Sequence, residues 1–399
     1  MSQSNMKITL KSILVLLLFV AGTQALAQLP TQKRGRATAT QLLPAEIRVP
    51  MDAANWPIQA GQTELVTHQG LTVIHILPDA KPVVVNSITF ANGIIEYDVM
   101  PGGQGAASFL FRRQSADETE CVYMRAGRPG NPAALDGIQY APYVKGLLLW
   151  DLMGQFQAPV PVYKKDEWNH LKYVVSGSQM LVYVNDMQRP VLEIPRLEGN
   201  IKQGGLAFDG TGYVANLVIR PNETEELPAR EGFDPTAHDP RYLRQWQVSQ
   251  SIPFPAGQDL FVGNLPKTDI AFQPIQAERR GLVNLSRLYG PTPRDNRRMV
   301  WLKVKVKAIT DQTRKVSLGF SDEVWVFLNQ QPAYIDKNIY RVSPTMRKVP
   351  DGRISIENGS FDIALKAGEN ELLIGLSNDF WGWGLIARLD SMEGITVLP

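Results

Sequence analysis

The chain has 399 residues, with 41 lysines and arginines against 39 aspartates and glutamates, a formal net charge of +2. Both signs are interspersed throughout, which argues against a nucleic-acid partner, since such a protein would show a basic stripe with interleaved aromatics. The single cysteine, Cys121, excludes an internal disulfide framework.

Residues 1–27 read as a secretory signal peptide. Lys7 and Lys11 form a basic start, "SILVLLLFVAG" an apolar middle, and "ALA" a small-residue cleavage site before Gln28. The apolar run is shorter than a membrane-spanning helix needs, and no cysteine follows the cleavage site to take a lipid. The expectation is an exported protein, periplasmic or extracellular, with no transmembrane segment. Residues 28–44, which include "TQKRGR", read as a flexible N-terminal segment. The chain after residue 27, about 370 residues, exceeds what one core serves, so two domains are expected.

Residues 45–220 read as short strands broken by turns, among them "LTVIHIL", "GIIEYDV", "ASFLFRR", "CVYMRAG" and "VANLVIR". Alternation with period two dominates. In "LKYVVSGSQMLVYVND" two such runs flank Ser176-Gly177-Ser178, a hairpin signal. With no helical stripe between the strands, the pattern means a β-sandwich. Cys121 in "TECVYMR" alternates as a small buried hydrophobe would, with no histidine near in sequence to activate it.

Residues 221–240, "PNETEELPAREGFDPTAHDP", are rich in acid and proline and read as a linker. Residues 241–399 repeat the all-β pattern, with one short helix expected around "AERRGLVNLSRLYG". The expected fold class is therefore all-β: two β-sandwich (jelly-roll) domains joined by an acidic, proline-containing linker. In "WLKVKVKAI", Leu302, Val304, Val306 and Ala308 point one way and Lys303, Lys305 and Lys307 the other. Such a row is usually a solvated face or a guard against edge pairing; binding of an anionic polysaccharide is the sharper reading.

In "EVWVFLN", Val324, Val326 and Leu328 line one strand face and Trp325 with Phe327 the other. Only one face of a sandwich strand can be the core. The second must pack on the linker, the first domain or a partner, with the first domain favoured over a sugar platform. In "NDFWGWGLIARLD", a strand over 381–389 would put Trp381, Trp383, Leu385, Ala387 and Leu389 on one face. Trp383 then reads as core, with Gly384 allowing a close approach. Trp381 sits at the strand's entry, where binding residues are common.

The first domain resembles the concanavalin A-like superfamily in its laminin-G-like form, as found in exported bacterial proteins. The residues that carry this are "SITFANGIIEYDV", "ECVYMR", "LDGIQYAPYVKGLLLW", "EWNHLKYVVSGSQMLVYVND" and "GGLAFDGTGYVANLVI". The resemblance implies a two-sheet jelly roll and, in many relatives, a carbohydrate-binding surface. Laminarinase-type glycosidases of the same superfamily carry Glu-x-Asp-x-(x)-Glu. Here Glu96 and Asp98 match, but Met100 or Pro101 stands where the last glutamate belongs. If the chain is an enzyme, Glu96 and Asp98 are its candidates. The 3-keto-disaccharide hydrolases also resemble this domain in layout. The second domain resembles galactose-binding-like jelly rolls through "WQVSQSIPF", "LGFSDEVWVFLNQQPAY" and "FDIALKAGENELLIGLSNDFWGWGLIARL". It keeps Gly368, Asn370 and Leu372 of that pattern, with Asn329-Gln330 where the turn is commonly Asn-Gly.

Arg125, Asp136, Gln139, Tyr140 and Trp150 combine planar rings with bidentate donors and acceptors, the chemistry sugars require; a structural network across strands would contain the same groups. With Trp325 and Trp381 they are the candidate ligand-binding residues. His68, His75, His170 and His238 show no ligand spacing, so no metal and no cofactor is expected. Asp186 and Asp209 are turn positions open to calcium, although such aspartates more often hydrogen-bond their own backbone. The functional expectation is an exported, non-catalytic protein that binds a glycan or polysaccharide or packs against a partner. The alternatives are a glycoside or 3-keto-disaccharide hydrolase with its site in the first domain, and a purely structural module.

Overall fold

The computed structural model describes residues 46–399 except 104, 268, 295 and 341–343. The expected signal peptide and N-terminal segment lie outside the described residues. The period-two runs form strands: "GIIEYDV" lies in Gly93–Pro101, and the hairpin signal joins Asn169–Ser176 to Gln179–Val184 through Gly177, which takes a left-handed φ of 54°. Every strand–strand ladder is antiparallel.

In the first sandwich a larger sheet runs Leu192–Ile194, Gln179–Val184, Asn169–Ser176, Gly93–Pro101, Gly212–Pro221, Leu71–Ile76, Thr63–His68 in spatial order. The facing sheet runs Gln157–Ala158, Ile138–Tyr140, Glu120–Arg125, Ala106–Arg113, Gly205–Asp209, Val83–Val84. Between them lies an aromatic core in which Phe109 meets Tyr97, Tyr173 and Phe208 at 4.9–5.2 Å.

The second sandwich is also two-layered. One sheet runs Phe272–Gln276, Gln245–Ser249, Arg298–Ala308, Gly368–Asn378, Glu323–Leu328, Gln331–Lys337; the other runs Leu282–Asn284, Gly384–Leu389, Gln312–Ser321, Gly359–Leu365. The expected helix is one turn, Leu285–Tyr289, N-capped by Asn284, whose side chain accepts from the Arg287 amide. The Asn329-Gln330 turn closes without glycine: both residues take left-handed φ, 48° and 67°. The buried Asn370 stabilises it, accepting from Asn329 Nδ2 at 2.9 Å while bonding the Lys366 backbone.

Three expectations about the second sandwich are corrected. The last strand is Gly384–Leu389 rather than 381–389, because Trp381 takes a left-handed φ of 56° that breaks the extended run. Trp381 and Trp383 therefore do not share a face: Trp383 enters the core and Trp381 turns toward the first sandwich. The Trp325 face meets neither the first sandwich nor solvent. Its own chain covers it, since Phe254, Leu260, Leu265, Ile270 and Phe272 fold across Trp301, Trp325 and Phe327, with Phe254 edge-on to Trp325 at 5.3 Å.

The described residues lie within one compact unit. The first core continues into Leu282, Ile354 and Ile386 of the second sandwich. The chain between the sandwiches is tied down at several points: Lys172 pairs with Glu225 at 3.0 Å, Gln179 donates to the Pro228 and Arg230 carbonyls, and Gly232 donates to Pro195. No helix among the described residues is long and apolar enough to cross a membrane.

Candidate functional site

In the smaller sheet of the first sandwich, Arg125 lies opposite Ala106, and Tyr123 opposite both Ser108 and Gln139. Directly opposed residues share a face, so Ala106, Ser108, Tyr123, Arg125 and Gln139 all point away from the core. This outward face forms the floor of a cleft of about 460 Å³. Its walls include Tyr143, Leu148, Trp150 and Asp209, and Tyr340, Phe380 and Trp381 of the second sandwich.

The floor is a fixed network. Gln139 is fully buried; its Oε1 accepts from the Tyr123 hydroxyl at 2.8 Å and from Arg125 at 3.1 Å, while its Nε2 donates to the Trp150 carbonyl at 2.6 Å. Arg125 also donates to the Asp136 carbonyl at 2.5 Å, and the Asp136 carboxylate stands 3.5–3.6 Å from Arg125, Arg128 and Arg353. Burial lowers the Arg353 pKa, and the neighbouring Arg125 charge lowers it further. Burial also raises the Asp209 carboxyl, against one hydrogen bond from the Gly210 amide.

The wall supplied by the second sandwich is a chain of rings. Tyr340 meets Trp150 edge-on at 4.8 Å and stacks on Phe380 at 5.9 Å, and Phe380 meets Trp381 edge-on at 5.6 Å. Two buried carboxylates hold the loop that carries Phe380 and Trp381. Asp322 accepts from the Asp379 and Phe380 amides at 2.7 and 3.0 Å; Asp151, from the first sandwich, accepts from the Gly382 amide at 3.0 and 3.2 Å. Gly382 is required by this approach, because a Cβ there would lie 2.4 Å from Asp151 Oδ1. Burial pushes Asp151 up to about 7 and Asp322 up to about 8, against the amide hydrogen bonds that lower both.

Of the sequence candidates, Arg125, Asp136, Gln139, Trp150 and Trp381 come together here, in unequal roles. Arg125 and Trp381 face the cleft, Gln139 and Asp136 position Arg125, and Trp150 is only 8% exposed beneath Tyr340 and Arg353. Two candidates are corrected. Tyr140 follows Gln139 on the same strand, so the pleat turns it inward, where its hydroxyl donates to Glu120 at 2.7 Å. Trp325 is 0% exposed and offers no ring face to a ligand.

Glu96 and Asp98 are also corrected as a catalytic pair. They lie on the outward face of the larger sheet, away from this cleft, and both are tied up: Arg220 binds Glu96 with two hydrogen bonds, at 2.9 and 3.1 Å, and Asp98 takes His170 at 2.7 Å and Asn216 at 2.6 Å. Burial opposes ionisation of Asp98, yet the His170 and Asn216 hydrogen bonds outweigh it and hold the pKa low, the opposite of what a general acid needs.

Sequence reasoning missed Tyr123, Tyr340 and Phe380 as cleft residues and weighed Asp209 only for calcium. Tyr123 was legible, being two positions before Arg125 on a strand. Nothing local links Tyr340 and Phe380 to a surface two hundred residues earlier. Among the described residues no group of three or more His, Cys, Asp or Glu side chains could hold a metal ion. The turn aspartates bond their own backbone: Asp186 accepts from Gln188 and Asp209 from Gly210.

A notch of about 530 Å³ opens beside the lysine row, where Gln245–Ser249 and Ile395–Leu398 diverge along Arg298–Ala308. Its one aromatic ring, Trp246, is buried. Two lysines of the row face acids across the sheet, Lys305 opposite Glu371 and Lys307 opposite Glu369, and Lys303 stands over the Phe272 ring. No exposed ring lines this notch, in contrast to the cleft.

No protein-family model matches the chain, and no curated protein does. Among solved structures it is similar over part of its length to a carbohydrate-binding module from Bacillus subtilis, at 14% identity over 44% of this chain and 94% of that one, TM-score 0.30. It is similar to a protein of unknown function with a galectin-like fold, also from Bacillus subtilis, at 14% identity over 44% and 94%, TM-score 0.32. It is similar to the β-glucanase of Bacillus licheniformis, at 9% identity over 45% and 98%, TM-score 0.31.

Proposed function

We propose that this protein is exported and binds a carbohydrate, without cleaving it, in the cleft between the two sandwiches. One observation carries the reading: the half-buried rings of Trp381, Tyr340 and Phe380 stand beside the Arg125 guanidinium, held in its own hydrogen-bond network, and the Asp209 carboxylate. Sugars present the complement, an apolar ring face and an edge of paired hydroxyls. The floor is fixed before any ligand arrives, so binding costs little ordering of Arg125. A glycan array followed by calorimetry on the hits tests the reading. Binding that Trp381→Ala weakens supports it, and a soluble, folded protein with no hit overturns it.

The hydrolase alternative keeps one observation, the Asp209 carboxyl raised by burial at the cleft. A retaining cleavage needs a second carboxylate about 5 Å away, and Asp209 is the one acid lining the cleft among the described residues. Release of reducing or 3-keto sugar from a disaccharide panel would favour that alternative. Export rests on the pattern of residues 1–27, and an N-terminus at Gln28 in the mature protein is the expected result.

A further inference from the structure

The surface does not end at Trp381. A second depression, of about 410 Å³, is lined by the same Phe380–Trp381 pair with Leu147, Thr292, Arg294 and Asp379. Each depression alone sits at the small end of the range for ligand sites, about 300–1,000 Å³. They share the same two rings, so Trp381 is a ridge between two hollows rather than the end wall of one.

The ridge is built to hold its position. Asp322 grips the amides on its N-terminal side and Asp151 grips the Gly382 amide on its C-terminal side, both from buried positions. Ser321 Oγ further donates to the Gly382 carbonyl at 2.8 Å. A half-exposed indole held this way presents a fixed apolar surface between two polar hollows, an arrangement that recognises a chain of rings better than a single ring.

Charge narrows the class of chain. In the second hollow, Arg294 is exposed and makes no ion pair among the described residues, and Asp379 supplies one opposite charge. In the first hollow Arg125 is set against Asp136 and Asp209. Each hollow thus carries an arginine cation beside a carboxylate, a donor next to an acceptor, which matches neighbouring hydroxyls. A uronate would bring its own negative charge up to Asp209 in one hollow and Asp379 in the other.

Resting on the glycan reading above, we propose that the ligand is a neutral oligosaccharide of at least three sugar units, one unit in each hollow and one across Trp381, with Arg294 as the specificity contact of the far unit. The test is calorimetry with linear neutral gluco-, xylo-, manno- and galacto-oligosaccharides of one to six units, and an oligogalacturonate series. In the series that binds, affinity should rise about tenfold or more from disaccharide to tetrasaccharide. Arg294→Ala, at an exposed position, should erase most of that gain. Affinity that stops rising at the disaccharide, a full gain retained in Arg294→Ala, or tighter binding of the uronates would each overturn the proposal while leaving carbohydrate binding in place. Failure of the wild-type protein to bind any sugar on array or in solution would instead overturn the glycan reading itself.

Discussion

The outward face under Trp381 and the outward face around Trp325 begin from the same kind of sequence, strands with aromatic side chains on the side turned away from the core. They end differently. Phe254, Leu260, Leu265, Ile270 and Phe272 return across Trp301, Trp325 and Phe327 and seal them into a second apolar layer. The face bearing Tyr123 and Arg125 receives partial cover, from Tyr143, Leu148 and Trp150 of its own chain and from Tyr340, Phe380 and Trp381 of the neighbouring sandwich, which together leave a cleft. An aromatic strand is a potential binding platform only where the chain does not come back to bury it. The difference lies in the connection and not in the strand.

The largest expected effect tests the sealed side. Trp325→Ala should cost about 3–5 kcal/mol in denaturant unfolding, as for other large aromatics removed from a core, with sugar affinity of the folded fraction unchanged. A loss below about 1 kcal/mol would mean that the layer is loose. Next, Asp322→Ala leaves the Asp379 and Phe380 amides without acceptors. It should cost about 1–3 kcal/mol and also weaken glycan binding, because the Trp381 ridge loses its grip on the N-terminal side. Trp381→Ala should give the reverse pattern, an affinity loss of about tenfold with little change in unfolding free energy.

A smaller effect is read from pH. Burial pushes Asp151 up to about 7 and Asp322 up to about 8 from an ordinary 3.8. The folded protein therefore binds these protons more tightly than the unfolded chain does. The associated stability is fully present below about pH 4 and is lost progressively from there until pH has passed 7 to 8. The melting temperature should fall across that window, and the double variant Asp151→Asn, Asp322→Asn should flatten the fall. The smallest effect is expected at Glu96→Gln, which breaks a partly exposed pair with Arg220. It should cost roughly 1 kcal/mol or less and leave sugar binding untouched.

Period two made the strands and their faces readable, and where the site follows that rule it was readable too: Arg125 and Gln139 point the same way because their strands pair in register. Tyr140 was misplaced against the same rule, since adjacent strand residues cannot share a face. The cover over Trp325 was not readable, because "IPFPAGQDLFVGNLPKTDI" carries no period, and its apolar side chains meet the sheet only after the chain has folded back. The strand expected over 381–389 failed at one dihedral angle. Trp381 is held in a left-handed conformation by partners from two distant segments, a constraint no local pattern encodes.

The grip of Asp151 on Gly382 bears on how the polypeptide can be dissected. Cutting between Pro221 and Gln245 to prepare either half alone would strand a buried carboxylate on one fragment and uncover the apolar contact of Leu152 on both. Each fragment would expose greasy surface, the first beside an orphaned acid, and tend to clump. The smallest well-behaved piece for crystallisation or display is therefore the intact pair.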